Sequence, residues 1–192
     1  MKYTGERIVP LLQGGVDVQH LDSYKESIKH ISKNDLVLDI ACGSGWGTEM
    51  LSHHASQIYG LDISYEAIEY AKENYLNKPG CNFCYFQGSI LDIPFVEGKF
   101  DVVNSIETFE HVKHEDIETL VRECHRVLKD GGQFIFTTPD HDIYPYHPTP
   151  DQYRGYHFWH YTQGELLDIL TPYFKEITLE GVHDSHFVVC RK

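Results

Sequence analysis

Apolar runs of strand length alternate with segments of helical period along most of this chain. "DLVLDI" (35–40), "QIYGLDI" (57–63), "NFCYFQ" (82–87), "FDVVNSI" (100–106) and "QFIFTT" (133–138) are short runs of the kind buried on both faces of a sheet. Between them lie "WGTEMLSHHA" (46–55), "SYEAIEYAKENYL" (64–76) and "EDIETLVRECHRVLK" (115–129). Ser64 is placed as an N-cap, with Ala67, Ile68, Ala71 and Tyr75 on one stripe. Ile117, Leu120, Val121, Cys124 and Leu128 share a second stripe, which "DGG" is expected to stop. "TQGELLDILTPYF" (162–174) opens as a further helix limited by Pro172, and "KEITLEGV" and "HFVVCRK" read as closing strands. This rhythm predicts a doubly wound, mostly parallel α/β sheet with right-handed crossovers. Functional residues in such a sheet collect beyond the carboxyl ends of the strands.

No internal repeat or linker divides the chain, so residues 1–192 are expected to form one domain, with 1–34 as an N-terminal cap segment. Acidic residues outnumber basic ones 29 to 16, for a net charge of −13. That field repels phosphate backbones, so no nucleic-acid partner is expected. "MKYTGERIVP" has no apolar leader and no apolar run reaches spanning length, so the expectation is a cytoplasmic protein without a membrane partner. Five scattered cysteines suit reduced thiols, and the lone CxxC of "CNFC" reads as strand residues packing as small hydrophobes. The segment 139–161 is long, proline-punctuated and rich in Tyr and His. It reads either as a lid whose aromatics cover a ligand and whose Arg154 meets an anionic group, or as a self-packed Ω-loop.

"VLDIACGSGWG" closes the first strand and opens the first helix, with Gly43, Gly45 and Gly47 alternating. Glycine there lets a ligand approach the backbone. Dinucleotide sites use G-x-G-x-x-G, whereas here the third glycine comes two after the second. Asp39 points an acid at the loop, which suits a ligand carrying an ammonium group better than a pyrophosphate. The second strand ends in Asp62, an acid able to accept from both hydroxyls of a ribose. After the third strand, Ser89 and the N–H of Ile90 are placed to meet an adenine edge.

Together these residues resemble the class I S-adenosylmethionine-dependent methyltransferases. "VLDIACGSGWG" looks like the first motif of that family, "GLDIS" its ribose-binding acid and "GSILDIPF" its adenine-binding turn. "FDVVNSIETFEHV" and "RVLKDGGQFIFTTPD" look like its fourth- and fifth-strand motifs. The resemblance implies a Rossmann-like, seven-stranded sheet whose last strand is antiparallel. It implies S-adenosylmethionine as cofactor, held by Asp39, Gly43, Gly45, Gly47, Asp62, Ile63, Ser89, Ile90 and Asn104. Ser89 departs from the pattern, which often has Asp there. "YTGERIVP" is similar to the start of bacterial methyltransferases of glycan, sugar and secondary-metabolite pathways. In those, an "HLHRY"-like stretch follows; here it is "QHLDSY", with Ser23 for the Arg that meets the cofactor carboxylate. Arg7 or a backbone group is the candidate replacement, with a surface ion pair as the alternative role of Arg7.

"IETFEH" (106–111) falls where the fourth strand ends. If residues 107–111 form a helical turn, Glu107, Glu110 and His111 share one face at i, i+3 and i+4. Three readings stay open. The acids cap a helix; or His111 is a general base or substrate hydrogen-bonder without metal, with Glu107 and Glu110 beside it; or all three ligate a divalent metal with a later His. The last resembles metal-dependent O-methyltransferases, including small-RNA 3′-end and ubiquinone-pathway enzymes. In that resemblance the later ligand is His157, five residues before Thr162, with His160 as its rival. Two oxygens and two nitrogens suit Mg, Mn, Fe or Zn alike.

The function expected is methyl transfer to a hydroxyl of a small polar acceptor, such as a sugar or nucleotide-linked sugar, with a second copy of the chain as a candidate partner. The alternatives are an RNA-end methyltransferase, a nicotinamide-dependent oxidoreductase and a non-catalytic cofactor-binding subunit.

Overall fold

The computed structural model describes residue 15 and residues 17–76, 81–147 and 156–192. Arg7, Arg154 and "TGER" lie outside them. Seven strands build one sheet: β1 Leu36–Ile40, β2 Gln57–Asp62, β3 Phe83–Gln87, β4 Phe100–Ser105, β5 Leu128–Pro139, β6 Glu176–Val182 and β7 Ser185–Arg191. Their order is β3-β2-β1-β4-β5-β7-β6. The pairs among β1 to β5 are parallel, while β7 runs antiparallel to both β5 and β6. This is the sheet implied by the resemblance.

The continuous apolar character of the strands follows from burial on both faces. Val37, Ile58, Val102 and Ile135 face one core, which is closed by α1 (Val18–Ile28), α2 (Trp46–Ser52) and α3 (Tyr65–Tyr75). Leu38, Leu61, Val103, Phe134 and Phe136 face the other, closed by α4 (Ile117–Val127) and α5 (Gln163–Leu170). Ser64 caps α3 by accepting from the Ala67 N–H, and Thr162 with Glu165 forms a capping box on α5. On α4 the buried positions are Ile117, Leu120, Val121, Cys124 and Val127, each worth about 1.5–3 kcal/mol for the larger side chains.

Three expectations need correction. Helix α4 ends at Val127, before "DGG", because Leu128 turns extended and starts β5. The glycines instead lie within β5, opposite a register shift between Phe100 and Val102, and Gly131 has φ +77°. The cap segment contains a helix, α1, that was not foreseen; Asp17 caps it, and Ser23 is buried in it, donating to the Gln19 carbonyl at 2.9 Å. Of the CxxC cysteines, Cys84 is on β3 and Cys81 precedes it, and all five cysteines are free thiols.

Strand order reverses between β1 and β4, so the loops after these two strands diverge. A crevice opens there, and the site occupies it.

Candidate active site

A cavity of about 640 Å³ lies beyond the carboxyl ends of β1 to β4, the size of a nucleoside-type ligand site. Its wall takes Ala41–Ser44 and Trp46 from the loop after β1, and Asp62 and Ile63 from the end of β2. Ser89–Leu91 after β3 and Ile106–Thr108 after β4 extend it, and His20, Tyr24, His111, Tyr156 and Phe158 are among the others that line it. The loop after β1 is drawn tight, with φ of +53° at Ala41, +55° at Gly43 and +86° at Gly45.

Only Gly43 of the three loop glycines reaches the wall. Gly45 and Gly47 serve packing instead. A Cβ on Gly45 would lie 2.6 Å from the Ala71 side chain, and one on Gly47 would lie 2.1 Å from the Tyr24 ring. Asp39 and Asn104 also sit behind the loop rather than on the wall. Asp39 is fully buried and accepts from Thr48 Oγ1 at 2.6 Å, Asn104 Nδ2 at 2.8 Å and the Tyr24 hydroxyl at 3.5 Å. Burial pushes its carboxyl up to about 6; the three donors oppose that rise and nearby Asp62 adds to it. Asp39 thus holds the underside of the loop, where direct contact with a ligand had been expected.

Asp62 accepts from the Gly43 N–H and from the Ser64 N–H, both at 2.8 Å. Its two oxygens offer about four lone-pair sites, so hydroxyl donors in the cavity can still be met. Ser89 Oγ accepts from the Leu91 N–H at 3.1 Å, and Ile63 lies exposed on the rim.

The cluster after β4 is not one helical face. Glu107 takes φ +46°, outside the 3₁₀ turn Phe109–His111, and its N–H donates to Thr137 Oγ1 at 3.0 Å. Glu110 is buried; Thr138 Oγ1 donates to its Oε2 at 3.2 Å, and its Oε1 lies 3.6 Å from His111 Nε2. One ligand atom from each of Glu110, His111 and His157 falls within 4.8 Å of the others. Among the described residues, Glu107 is outside that set, and its buried Oε1 has no hydrogen-bond partner. The structure therefore gathers three of the four residues expected around a metal.

A second cavity, about 330 Å³, is lined by Glu107, Glu110, His111, His157, His160 and Asp184 among others. It shares Glu107, His111 and His20 with the first. The segment after β5 is stitched to the cluster. The Phe158 N–H donates to the Glu110 carbonyl at 2.6 Å, and His111 Nδ1 meets the Tyr156 carbonyl at 3.0 Å. His157 Nδ1 lies 2.7 Å from His160 Nε2, and His160 Nδ1 lies 2.7 Å from the Tyr144 carbonyl. Burial lowers His157 to about 4, helped by His111 and His160, and burial lowers His160 as well. The described residues of this segment divide between the cavity and a stack of their own. Tyr156 and Phe158 face the first cavity, whereas His141, His147 and Trp159 stack on one another at 3.7 and 4.0 Å and continue to His114 at 4.5 Å.

Residues 38–136, just over half the chain, match the family model described as a methyltransferase domain. This chain belongs to that methyltransferase family. The methyltransferase is 27% identical over 169 residues to a probable S-adenosylmethionine-dependent methyltransferase of Mycolicibacterium smegmatis, covering 87% of this chain and 62% of the relative. It is 33% identical over 111 residues to a ubiquinone biosynthesis O-methyltransferase of Vibrio parahaemolyticus, covering 57% of this chain and 46% of that one. It thus spans about half to three-fifths of the length of these relatives. The solved structure of the PH0226 protein of Pyrococcus horikoshii shares its fold, with TM-score 0.77 at 24% identity over 91% of this chain and 88% of that one.

Several residues that build the methyltransferase site escaped the sequence reading. Tyr24 and Thr48 are the partners of Asp39, and His20 sits between the two cavities. Tyr24 closes the "QHLDSY" stretch, so that stretch carried a signal, but in its tyrosine rather than in Ser23. No helix among the described residues is long and apolar enough to cross a membrane.

Proposed function

We propose that this chain is an S-adenosylmethionine-dependent methyltransferase acting on a hydroxyl of a small polar acceptor, a sugar being the first choice. The observation that carries the reading is the meeting of two cavities at Glu107 and His111. The larger suits the nucleoside and amino-acid parts of the donor. The smaller, rich in carboxylates and imidazoles, suits a hydroxylated acceptor. The charge of −13 supports a small acceptor over a nucleic acid. A second reading, an aromatic hydroxyl, is favoured by the relative named for ubiquinone O-methylation.

S-adenosylmethionine, when bound, supplies an electrophilic methyl on a sulfonium centre. Asp62, Ser89 and Ile63 orient the donor in the larger cavity, where Tyr156 and Phe158 on the wall exclude water. His111 Nε2 or the Glu107 carboxylate takes the hydroxyl proton as the oxygen attacks the methyl carbon and the sulfur keeps the bonding electron pair.

The donor set Glu110, His111 and His157 also fits a divalent cation. His111 Nδ1 is turned to the Tyr156 carbonyl, which leaves Nε2 on the Glu110 side, 3.6 Å from Oε1, where a cation could be held by both. Bound there, it would lower the pKa of an acceptor hydroxyl.

The test is methyl transfer from labelled donor to a panel of sugars, nucleotide-linked sugars and catechols, before and after chelation and add-back of Mg, Mn, Fe or Zn. Turnover lost on chelation and restored by one metal supports the cation centre. Full turnover after chelation leaves His111 and Glu107 as the bases. No transfer to any hydroxyl refutes the acceptor class.

A further inference from the structure

Two backbone carbonyls of one segment decide where the hydrogens of the histidine cluster sit. A carbonyl oxygen only accepts. Tyr156 O lies 3.0 Å from His111 Nδ1, and Tyr144 O lies 2.7 Å from His160 Nδ1, so each of these nitrogens carries hydrogen. In neutral His160 the other nitrogen, Nε2, then holds a lone pair. It lies 2.7 Å from His157 Nδ1. Two lone pairs at that distance repel, so His157 Nδ1 carries the hydrogen between them. His157 Nε2 becomes the lone-pair nitrogen of its ring. The reverse arrangement needs both hydrogens on His160, a charged ring in a buried position beside a second imidazole.

The backbone of His160 is fixed as well. Its N–H donates to the Tyr146 carbonyl at 2.9 Å, and its own carbonyl accepts from His147 Nε2 at 2.6 Å. We propose that His160 is a positioning residue that holds His157 in the Nδ1–H tautomer, leaving Nε2 as the nitrogen able to bind a cation or take a proton. The sequence comparison had offered His160 as a rival ligand to His157. The geometry gives the two residues different tasks, one offering the lone pair and one setting it. Histidine ligands are commonly oriented this way, by donating their second N–H to a fixed acceptor. The proposal rests on the reading that His157 serves the active site.

The experiment is ¹⁵N-histidine NMR of the full chain, using two-bond correlations that distinguish Nδ1–H from Nε2–H rings. His157 is expected to be protonated at Nδ1. His160→Phe keeps a ring but removes both contacts, and should shift His157 to the Nε2–H form or to an interconverting mixture. His160→Gln keeps an amide that can accept from His157, and should retain the Nδ1–H form. Titration with Mn²⁺ alone should show about a 10–100-fold weaker affinity in His160→Phe, with much of it restored in His160→Gln. An Nε2–H His157 in the unaltered protein overturns the proposal, as does an unchanged His157 in His160→Phe. If His160→Phe does not fold, the spectrum of the unaltered protein decides. Absence of Mn²⁺ binding to the unaltered protein counts against the cation centre, while the tautomer readout still judges His160.

Discussion

Asp39 on β1 and Asn104 on β4 are register partners in adjacent strands, and Asn104 Nδ2 donates to Asp39 Oδ1 at 2.8 Å. The contact clamps the sheet at the point where its strand order reverses. It also places a carboxylate in a fully buried position.

A pH dependence follows from that burial. The Asp39 carboxyl titrates near 3.8 in the unfolded chain and at about 6 in the folded one. Between those values the folded state holds the extra proton, so this group's contribution to stability falls as pH rises through the window. Above about 6 the cost is fully present, on the order of 3 kcal/mol. Asp39→Asn is expected to flatten this part of the profile. Urea unfolding of both proteins from pH 4 to 8 measures it, and parallel curves would remove Asp39 from the account. His157, lowered to about 4, acts in the opposite sense in both proteins and cancels in the comparison.

Gly47→Ala should disturb the site from behind, through Tyr24, whose side chain lines the larger cavity. The added Cβ would meet the Tyr24 ring at 2.1 Å, and Tyr24 leans on Asp39. The expected loss is about 1–3 kcal/mol of stability, as in other overpacked cores. Combining it with Tyr24→Ala should cost less than the sum of the two changes, because they share one contact. Thermal unfolding of the single and double variants gives the answer; strict additivity would mean that the ring moves aside freely.

Asp62→Ala removes the acceptor of two backbone N–H groups, on Gly43 and Ser64, together with the expected ribose contact. Binding of S-adenosylhomocysteine should weaken by roughly 1–3 kcal/mol in calorimetry. An unchanged affinity takes Asp62 out of the site, and binding of NAD in place of the nucleoside sulfide would sink the donor assignment.

Turnover of His111→Ala should fall by orders of magnitude whether His111 binds a cation or takes a proton. Glu107→Gln separates the roles further. Glu107 lies outside the three-residue ligand set, so this variant should keep its metal affinity while losing turnover, by roughly 10²–10⁴-fold if the carboxylate is the base. Loss of metal binding in Glu107→Gln would show that the centre includes a fourth ligand.

The segment after β5 should respond to ligands. Tyr156 and Phe158 face the first cavity, so donor and acceptor together should slow proteolysis within residues 140–161. Trp159→Ala, which breaks the stack between His147 and His114, should speed cleavage with or without ligands. Equal cleavage rates under all conditions would describe a static cover.

The sheet was legible because its central strands, β1 and β4 above all, are covered on both faces and so read as nearly unbroken apolar runs. The Ser64 cap was legible because it is a short-range feature, settled within a turn of the chain. Asp62, Gly43, Ser89 and the acids after β4 line the two cavities because each closes or follows closely on a strand that ends at the switch point. What could not be read was set by contacts far apart in sequence. That Gly47 faces Tyr24 rather than a ligand depends on where α1 lands. That Glu107 leaves the helical face depends on its left-handed backbone and its N–H bond to Thr137, thirty residues away. Periodicity carries no trace of either.

The backbone at Glu107 has a consequence for anyone engineering this protein. A left-handed conformation costs an L-residue about 1–2 kcal/mol, and glycine would relieve it at an entropic cost of about 0.5–1 kcal/mol. A library sorted for heat resistance would therefore accept glycine at position 107 as neutral or better, and would discard the carboxylate unnoticed. Robustness and the base role proposed for Glu107 pull in opposite directions at this residue, so any selection for robustness here has to be paired with a selection for turnover.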